Sequence, residues 1–244
     1  MRAGLSAATA LVLIVAACGG PAAEPVVGPV IDPGDGGHYV VDLDPARFTA
    51  MVDNPWFSLA PGARWVYQGT ADDAAERTDV AVTGQTRVVS GIPATVVHDT
   101  VSKAGELIED TYDWYAQDSD GNVWYLGEDT REYEGGGVVS TKGSWQAGVD
   151  GAKPGVVMWA DPQPGKAYRQ EFYPGEAEDL AEVIAVDGAA SVPAGSWSDA
   201  LVIREWNPLE PTVVEEKTYV RGVGLVLERV VQGGSGGAEL VQRS

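Results

Sequence analysis

Hydrophobic and polar residues alternate in short runs along most of the chain. In "RWVYQG" (64–69) and "ATVVHDTV" (94–101), Val, Thr and aromatic residues recur between polar ones. Such runs, each followed by a turn that contains Gly or Pro, are typical of β-strands in an antiparallel sheet. The chain is therefore predicted to be all-β, with a twisted antiparallel sheet that forms a half-barrel or open barrel and with little helix. The other runs of this kind are residues 79–89, 200–206, 213–220 and 224–231.

Two segments depart from this pattern and favour helical structure. Residues 175–184, "GEAEDLAEVI", begin with an acid-rich turn that suits a helix N-terminus. The residues that follow continue like a strand, so a strand from Ala181 onward is the preferred interpretation. Residues 47–52 are predicted to form a helical turn, because Asp44 suits an N-cap and Pro45 suits the first helical position.

The chain begins with a pattern of export and membrane anchoring. Residues 1–17 combine Arg2, an apolar run and small residues, which is the pattern of a signal peptide, and "VAAC" at its end resembles the bacterial lipobox. The apolar run is shorter than the roughly 20 residues of a transmembrane helix. Cys18 is therefore predicted to be lipidated, and its two acyl chains would suffice for stable anchoring. Residues 18–37 are predicted to be a Pro- and Gly-rich tether, and residues 38–244 a single all-β domain.

Charge and cysteine content narrow the classes of partner and chemistry. The chain has 36 Asp and Glu against 16 Lys and Arg, a formal net charge of −20, without a basic run. This balance argues against a nucleic acid or an anionic membrane surface as a partner, and the predicted membrane contact is the lipid anchor alone. Cys18 is the only cysteine. Once it is lipidated, no thiol remains for a disulfide, a metal or catalysis, and the expected location is the extracytoplasmic face of the cell membrane.

The acidic, aromatic segment 110–129, "DTYDWYAQDSDGNVWYLGED", admits more than one interpretation. A calcium loop of the EF-hand type needs acids at fixed positions, a Gly at position 6 and a Glu at position 12, and no register of this segment supplies them all. Residues 118–121, "DSDG", suit a β-turn instead, with Asp first and Gly last. The segment is therefore predicted to be a hairpin, with Tyr112 and Trp114 on one face of its first strand and Asp113 and Tyr115 on the other.

The same segment raises the alternative of a sugar-active site. Glu109, Asp113 and Glu128 would supply paired carboxylates, and Trp114 and Trp124 would stack on a sugar. The competing interpretation places these acids on a solvated outer face and the tryptophans in the core. We prefer this second interpretation. It leads us to expect at least two of Trp65, Trp114 and Trp124 on the concave side of the sheet.

Other combinations of reactive residues are weak. His98 and Asp99 are neighbours in a predicted strand, so their side chains point to opposite faces and cannot act as a pair. The chain has two histidines and lacks the Gly-x-Ser-x-Gly and phosphate-loop motifs. No catalytic, cofactor-binding or metal-binding residue is therefore predicted. One further cluster of acids is predicted to lie on a solvated face, and the alternative is that it binds a divalent cation. Its members are Glu176, Glu178, Asp179 and Glu182.

Three sequence stretches resemble a known family. "NPWFSLAPGARWVYQG" (54–69), "SVPAGSW" (191–197) and "YVRGVGLV" (219–226) resemble recurring patterns of an uncharacterised family of secreted bacterial proteins and lipoproteins. The resemblance spans roughly residues 50–232. It implies a twisted antiparallel sheet, in the manner of the half-barrels of lipoprotein carriers, and no established activity or catalytic residue.

These features together predict a lipid-anchored envelope protein that binds an apolar or lipid-like ligand without catalysis, and no cofactor. A curved sheet around an apolar groove would suit such a ligand. Two alternatives stay open. One is a secreted protein that binds or hydrolyses sugars through its aromatic and acidic residues, and the other is a purely structural envelope protein.

Overall fold

The computed structural model describes residues 38–71, 74–165 and 167–244. The predicted signal peptide (1–17), the lipidation site Cys18 and the tether (18–37) lie outside the described residues. Strands account for 64% of the structure and no α-helix occurs in the described ranges, which confirms the all-β prediction. Within the same ranges, no helix has the length and apolar character needed to cross a bilayer.

Sixteen strands and one short 3-10 helix make up the described structure. The helix, η1, is Pro45–Arg47. The strands are β1 Phe48–Thr49, β2 Arg64–Ala71, β3 Ala74–Val89, β4 Ile92–Lys103, β5 Glu106–Asp118, β6 Val123–Glu134, β7 Gly137–Ser140, β8 Trp145–Gln146, β9 Lys153–Met158, β10 Ala167–Arg169, β11 Glu171–Phe172, β12 Leu180–Val192, β13 Gly195–Trp206, β14 Val214–Val220, β15 Gly224–Gln232 and β16 Gly236–Arg243.

Thirteen of these strands form one continuous antiparallel sheet that closes into a barrel with a single seam. Their spatial order is β10-β12-β13-β14-β15-β16-β2-β3-β4-β5-β6-β9-β11, and β1, β7 and β8 pair at its margins with β5 or β6. The sheet ends at β10 on one side and at β11 on the other. Only Gln170 separates these two strands in the chain, so the polypeptide itself crosses the seam. The predicted open barrel is therefore nearly closed.

The two segments with helical features behave differently. Asp44 caps η1 as predicted, since its carboxylate accepts a hydrogen bond from the Ala46 backbone N–H at 3.0 Å, but the helix ends at Arg47. Residues Phe48–Thr49 already pair with β5, so the predicted helical turn over 47–52 is wrong and the turn lies at Pro45–Arg47 instead. Residues 175–179 are not helical and β12 starts at Leu180, which agrees with the preferred strand interpretation.

The stretch 54–69 runs from the loop that follows β1 into β2. Asn54 donates hydrogen bonds from its side chain to the backbone carbonyls of Gly121 (2.9 Å) and Trp159 (3.2 Å), and so ties this loop to two other parts of the sheet. Trp56, which is 1% exposed, anchors the loop in the core. At Gly69 a Cβ atom would lie 1.8 Å from the Gly237 carbonyl oxygen, so the close approach of β2 to β16 requires glycine.

The aromatic residues of β2 reach across the neighbouring strand β16 to β15. The Trp65 Nε1–H donates to the Val223 carbonyl at 2.7 Å, just before β15, and the Tyr67 hydroxyl donates to the Leu225 carbonyl at 3.1 Å. These bonds satisfy the polar tips of two large side chains that point into the barrel. They also fix the position of β15 relative to β2, and both strands contribute to the cavity described below.

Candidate ligand-binding cavity

The barrel encloses a cavity, called here the Asp99 cavity, of about 600 Å³ including the open space at its mouth. Most of its wall is apolar or aromatic, and the carboxyl groups of Asp99 and Asp113 complete it. Asp99 is 5% exposed and Asp113 is 2% exposed, so both belong to its floor, whereas Trp65 and Leu225 stay partly exposed at its mouth. The apolar and aromatic lining consists of Phe57, Leu59, Trp65, Tyr67, Val80, Val97, Tyr115, Tyr219 and Leu225.

A second, more polar cavity of about 350 Å³, the Lys217 cavity, shares part of its wall with the first. Phe57, Tyr115 and Tyr219 line both cavities. Phe57 packs against Tyr115 with ring centroids 5.2 Å apart and against Tyr219 at 6.5 Å. These three rings therefore form the partition between the two parts of the barrel interior.

Lys217 supplies positive charge to the second cavity. Its Nζ lies 2.5 Å from Glu205 Oε2 and 3.7 Å from Glu228 Oε2, and the residue is 4% exposed. The Gln170 side chain donates a hydrogen bond to the other oxygen of Glu205 at 2.9 Å, so that carboxylate is held from both sides. Burial alone would lower the pKa of Lys217, but Glu205 and Glu228 raise it well above its ordinary value. Lys217 is therefore charged at neutral pH.

The barrel interior also contains the acids that were expected to be solvated. Glu109, Asp113 and Glu128 are 6%, 2% and 1% exposed, so their assignment to an outer face is wrong. The physical reason is the width of the barrel. About eight strands already make an interior that side chains can fill, whereas sixteen or more leave a channel, and thirteen strands leave room for polar groups and cavities.

A bulge in β6 aligns two of these acids. Asp113 pairs with Glu128 and Tyr115 pairs with Tyr125, so the register of β5 and β6 shifts between the two pairs. Gly127 lies at this shift with a φ of 132°, and a Cβ atom there would be 2.4 Å from the Trp145 carbonyl oxygen. The bulge reverses the alternation along β6, so Glu128 faces the interior although strict alternation would place it beside Trp124.

Burial changes the protonation of the interior carboxyl groups. It raises the pKa of Asp99 well above its ordinary value, and the nearby Asp113 and Glu109 raise it further. It also raises the pKa of Glu109 to about 7. The pKa of Asp113 and that of Glu128 are raised by burial as well, although the Tyr125 hydroxyl donates to Asp113 at 2.9 Å and opposes the shift at Asp113. Near neutral pH these groups therefore retain much of their protonation.

The three tryptophans do not occupy the predicted side of the sheet. Trp65 lines the Asp99 cavity, but Trp114 and Trp124 lie on the outer face, so the expectation of at least two inner tryptophans is wrong. Trp114 is nevertheless buried, because the Arg87 guanidinium covers its ring at 3.9 Å from the centroid. Trp124 packs against Phe48 at 6.1 Å.

This arrangement separates the residues that were considered for sugar chemistry. Asp113 lines the inside of the barrel, and alternation along β5 places Trp114 on the other side of the sheet. The sugar-stacking residues Trp114 and Trp124 therefore do not share a site with Glu109, Asp113 and Glu128.

The turn at 118–121 is the predicted hairpin turn, closed by a hydrogen bond from the Gly121 N–H to the Asp118 carbonyl at 3.0 Å. Both oxygens of the Asp118 carboxylate accept hydrogen bonds within the hairpin. Oδ1 accepts from the N–H groups of Asp120 and Asn122 at 2.9 Å, and Oδ2 accepts from the Asn122 side chain at 3.0 Å and from Trp124 Nε1 at 2.9 Å. Burial would raise the pKa of Asp118, but these bonds outweigh it and lower the pKa. The carboxylate thus has a structural role in the hairpin.

The remaining sequence candidates are also separated by the fold. His98 bonds Asp110 on the outer face (Nε2 to Oδ1, 2.7 Å), whereas Asp99 faces the cavity, which confirms that the two neighbours diverge. Of the acidic cluster 176–182, Asp179 lines the Lys217 cavity and Glu178 accepts the Gly175 N–H. Within the described ranges, no group of three or more His, Cys, Asp or Glu residues is arranged to hold a metal ion.

Comparison with known proteins gives little further information. No family model matches the chain, and no curated protein sequence matches it. Two solved structures are similar in backbone. One is a protein inferred to be exported, with a YmcC-like fold, from Bacteroides fragilis, at 13% identity and a TM-score of 0.44 over 79% of this chain and 100% of that one. The other is a protein inferred to be a lipoprotein from Parabacteroides distasonis, at 11% identity and a TM-score of 0.45 over 78% and 99% of the two chains. Similarities of this size carry no argument about location or activity.

Proposed function

We propose that the chain is a lipid-anchored protein of the extracytoplasmic side of a cell membrane, and that it binds an apolar or lipid-like molecule in the Asp99 cavity without catalysing a reaction. The observation that carries the binding proposal is the cavity itself, an open space of about 600 Å³ with a mostly apolar and aromatic wall. Small-molecule sites commonly combine such walls with a few polar groups. The anchoring proposal stands on the sequence pattern that ends at Cys18.

The apolar wall of the Asp99 cavity combines buried side chains with side chains that stay partly exposed. Leu59, Val97 and Tyr115 are buried, while Trp65 on β2 and Leu225 on β15 line the space from either side of β16 and stay partly exposed. Partly exposed apolar groups at an open mouth gain free energy when a ligand removes them from water, about 25 cal/mol for each Å² that becomes buried. A ligand with an apolar body is therefore the class that this wall favours.

Native purification tests the binding proposal. Solvent extracts of the purified protein, analysed by mass spectrometry, should contain one apolar compound in near-stoichiometric amount. Leu225→Trp should reduce that amount severalfold, because the larger side chain fills the mouth of the cavity. The matched control is Leu209→Trp on the surface, where the leucine is 39% exposed. The absence of such a compound from the wild-type extract, or its equal recovery from Leu225→Trp, would contradict ligand binding in this cavity and favour a structural protein.

Cell fractionation tests the anchor. Cys18→Ala is expected to move the protein from the membrane fraction to the soluble fraction, or to leave an uncleaved precursor, because the substitution removes the acylated thiol. Mass spectrometry of the wild-type protein should show acylation at Cys18. Recovery of the wild-type protein as a fully soluble species with an unmodified Cys18 would disprove the anchoring proposal.

A further inference from the structure

Two carboxyl groups on the floor of an otherwise apolar cavity require an explanation. Asp99 on β4 and Asp113 on β5 both line the Asp99 cavity and are more than nine-tenths buried. They belong to adjacent strands, with Val97 opposite Asp113 and Asp99 opposite Thr111. An apolar ligand alone would not need either of them. Burying a carboxyl group costs free energy unless it is hydrogen-bonded or paired, so their position in this wall points to a polar contact with the ligand.

One of the two has unused hydrogen-bonding capacity. The Asp113 carboxylate accepts a bond from the Tyr125 hydroxyl at 2.9 Å. By contrast, Asp99 Oδ1 is buried and has no hydrogen-bond partner among the described residues. The nearby Tyr67 hydroxyl donates to the Leu225 carbonyl at 3.1 Å. Asp99 therefore presents an unpartnered acceptor in the wall of the cavity.

The ionisable groups around Asp99 are predominantly acidic. Asp79 on β3 and Glu109 and Asp113 on β5 all disfavour the ionised form of Asp99, and Lys217 on β14 is the cation that favours it. Lys217 is already held by Glu205 at 2.5 Å in the Lys217 cavity. The floor of the Asp99 cavity is thus surrounded by acids whose nearby cation already has a partner. A cation that enters favours the ionised form of these acids, whereas an anion opposes it.

We infer that the ligand of the Asp99 cavity is a cationic amphiphile, with a protonated amine or guanidinium group that binds Asp99 and Asp113 and an apolar body that fills the mouth. This inference rests on the proposed binding function and specifies its ligand class. A cationic donor satisfies the open acceptor of Asp99 and supplies the missing counter-charge, and charge-assisted hydrogen bonds are about twice as strong as neutral ones. A carboxylate head would oppose ionisation of these acids, and a neutral alcohol would supply a hydrogen bond without the charge.

Binding of such a cation should release protons. Burial, together with the neighbouring acids, raises the pKa of Asp99, and burial likewise raises that of Asp113. A bound cation favours the ionised form and lowers both pKa values again. The carboxyl groups then lose protons to the buffer as the cation enters. A neutral apolar ligand would cause no such release.

Three probes of equal chain length test the ligand class with the purified full chain: decylamine, decanol and decanoate. Calorimetry measures the affinity of each probe, and its repetition in buffers of different ionisation enthalpy counts the released protons. We expect decylamine to bind roughly ten- to hundredfold more tightly than decanol, to bind more tightly still than decanoate, and to release protons.

Asp99→Asn should weaken decylamine binding by about tenfold or more and leave decanol binding within about twofold, because it keeps the side-chain shape and removes the charge. Unchanged decanol binding also shows that the variant is folded. The matched control is Asp129→Asn on the outer face, where Asp129 pairs with Arg131 and is 46% exposed. This variant should bind all three probes like the wild type.

The outcomes distinguish the inference from the proposed function on which it rests. If decanol or decanoate binds as tightly as decylamine, or if Asp99→Asn leaves decylamine affinity unchanged, the cationic ligand class is wrong while apolar binding stands. If none of the three probes binds, the apolar-binding function fails together with the inference.

Discussion

Acidification from about pH 7.5 to about pH 5 is expected to stabilise this protein. In an unfolded chain Asp and Glu side chains ionise near pH 4. In the folded barrel burial raises the pKa of Glu109 to about 7, and it raises the pKa values of Asp99, Asp113 and Glu128 as well. Between about pH 4 and pH 7 the folded protein therefore binds more protons than the unfolded chain. By linkage, its free energy of unfolding falls as the pH rises through this window.

The expected effect is large enough for a thermal melt to detect. A single group that titrates in only one of the two states changes the unfolding free energy by about 1.4 kcal/mol per pH unit. For a domain of this size 1 kcal/mol corresponds to about 2–4 °C, so the Tm should rise by at least about 5 °C between about pH 7.5 and pH 5. Circular dichroism melts between about pH 7.5 and pH 5 measure this change.

Two controls separate the buried carboxyl groups from the surface charge. The net charge of −20 also falls on acidification, but repulsion between surface charges is screened by salt and should contribute little at high ionic strength. Glu109→Gln removes one of the buried titrating groups and should flatten the pH dependence even in salt. A Tm that falls on acidification at high ionic strength would show that the interior acids are ionised in the folded protein.

Removal of the buried lysine is expected to be the most damaging single substitution in the interior. Lys217→Met keeps most of the side-chain volume but leaves Glu205 and Glu228 without their cation, and loss of one partner of a buried ion pair costs about 3–5 kcal/mol. The cost should be largest near pH 8 and smaller near pH 5, because burial raises the pKa of Glu228 and its protonation removes one of the abandoned charges. Urea melts at the two pH values test both statements.

A double variant and a surface variant complete this test. Lys217→Met combined with Glu205→Gln should recover a large part of the loss, since the two residues interact directly and their effects are not additive. Lys142→Met replaces an exposed lysine and should change stability by less than about 0.5 kcal/mol. If Lys217→Met is as stable as Lys142→Met at both pH values, the ion pair does not hold the interior together.

The sequence predicted the strands well and the interior poorly, and one strand shows why. Along β5 the polar set of Glu109, Thr111 and Asp113 alternates with a set that includes Tyr112 and Trp114. Alternation reveals that two faces exist, but it does not say which one is inside. The preference of acids for water would place the first set outside. Closure of a wide sheet reverses that preference, and closure depends on strand pairs that are distant in the chain.

Local irregularities also escape an analysis by periodicity. The bulge at Gly127 moves Glu128 to the inner face, and no simple repeat in the sequence marks it. Turns are more readable, because their chemistry is local. The "DSDG" turn at 118–121 and the cap at Asp44 were both identifiable from residue type alone. The Asp99 cavity could not be predicted from the sequence, since its wall combines the 54–69 stretch with strands β3, β4, β5, β14 and β15.

The order of strands around the barrel constrains when the protein can complete its fold during synthesis. β2 pairs with β16, so that Tyr67 lies opposite Leu240, although β16 is the last of the described strands along the chain. A polypeptide made from its amino end must wait for all intervening strands before this pair can form. Until then β2 and β15 remain edge strands with open hydrogen-bonding groups, which favours aggregation. Its biogenesis should therefore benefit from a factor that shields these two edges until β16 pairs with them.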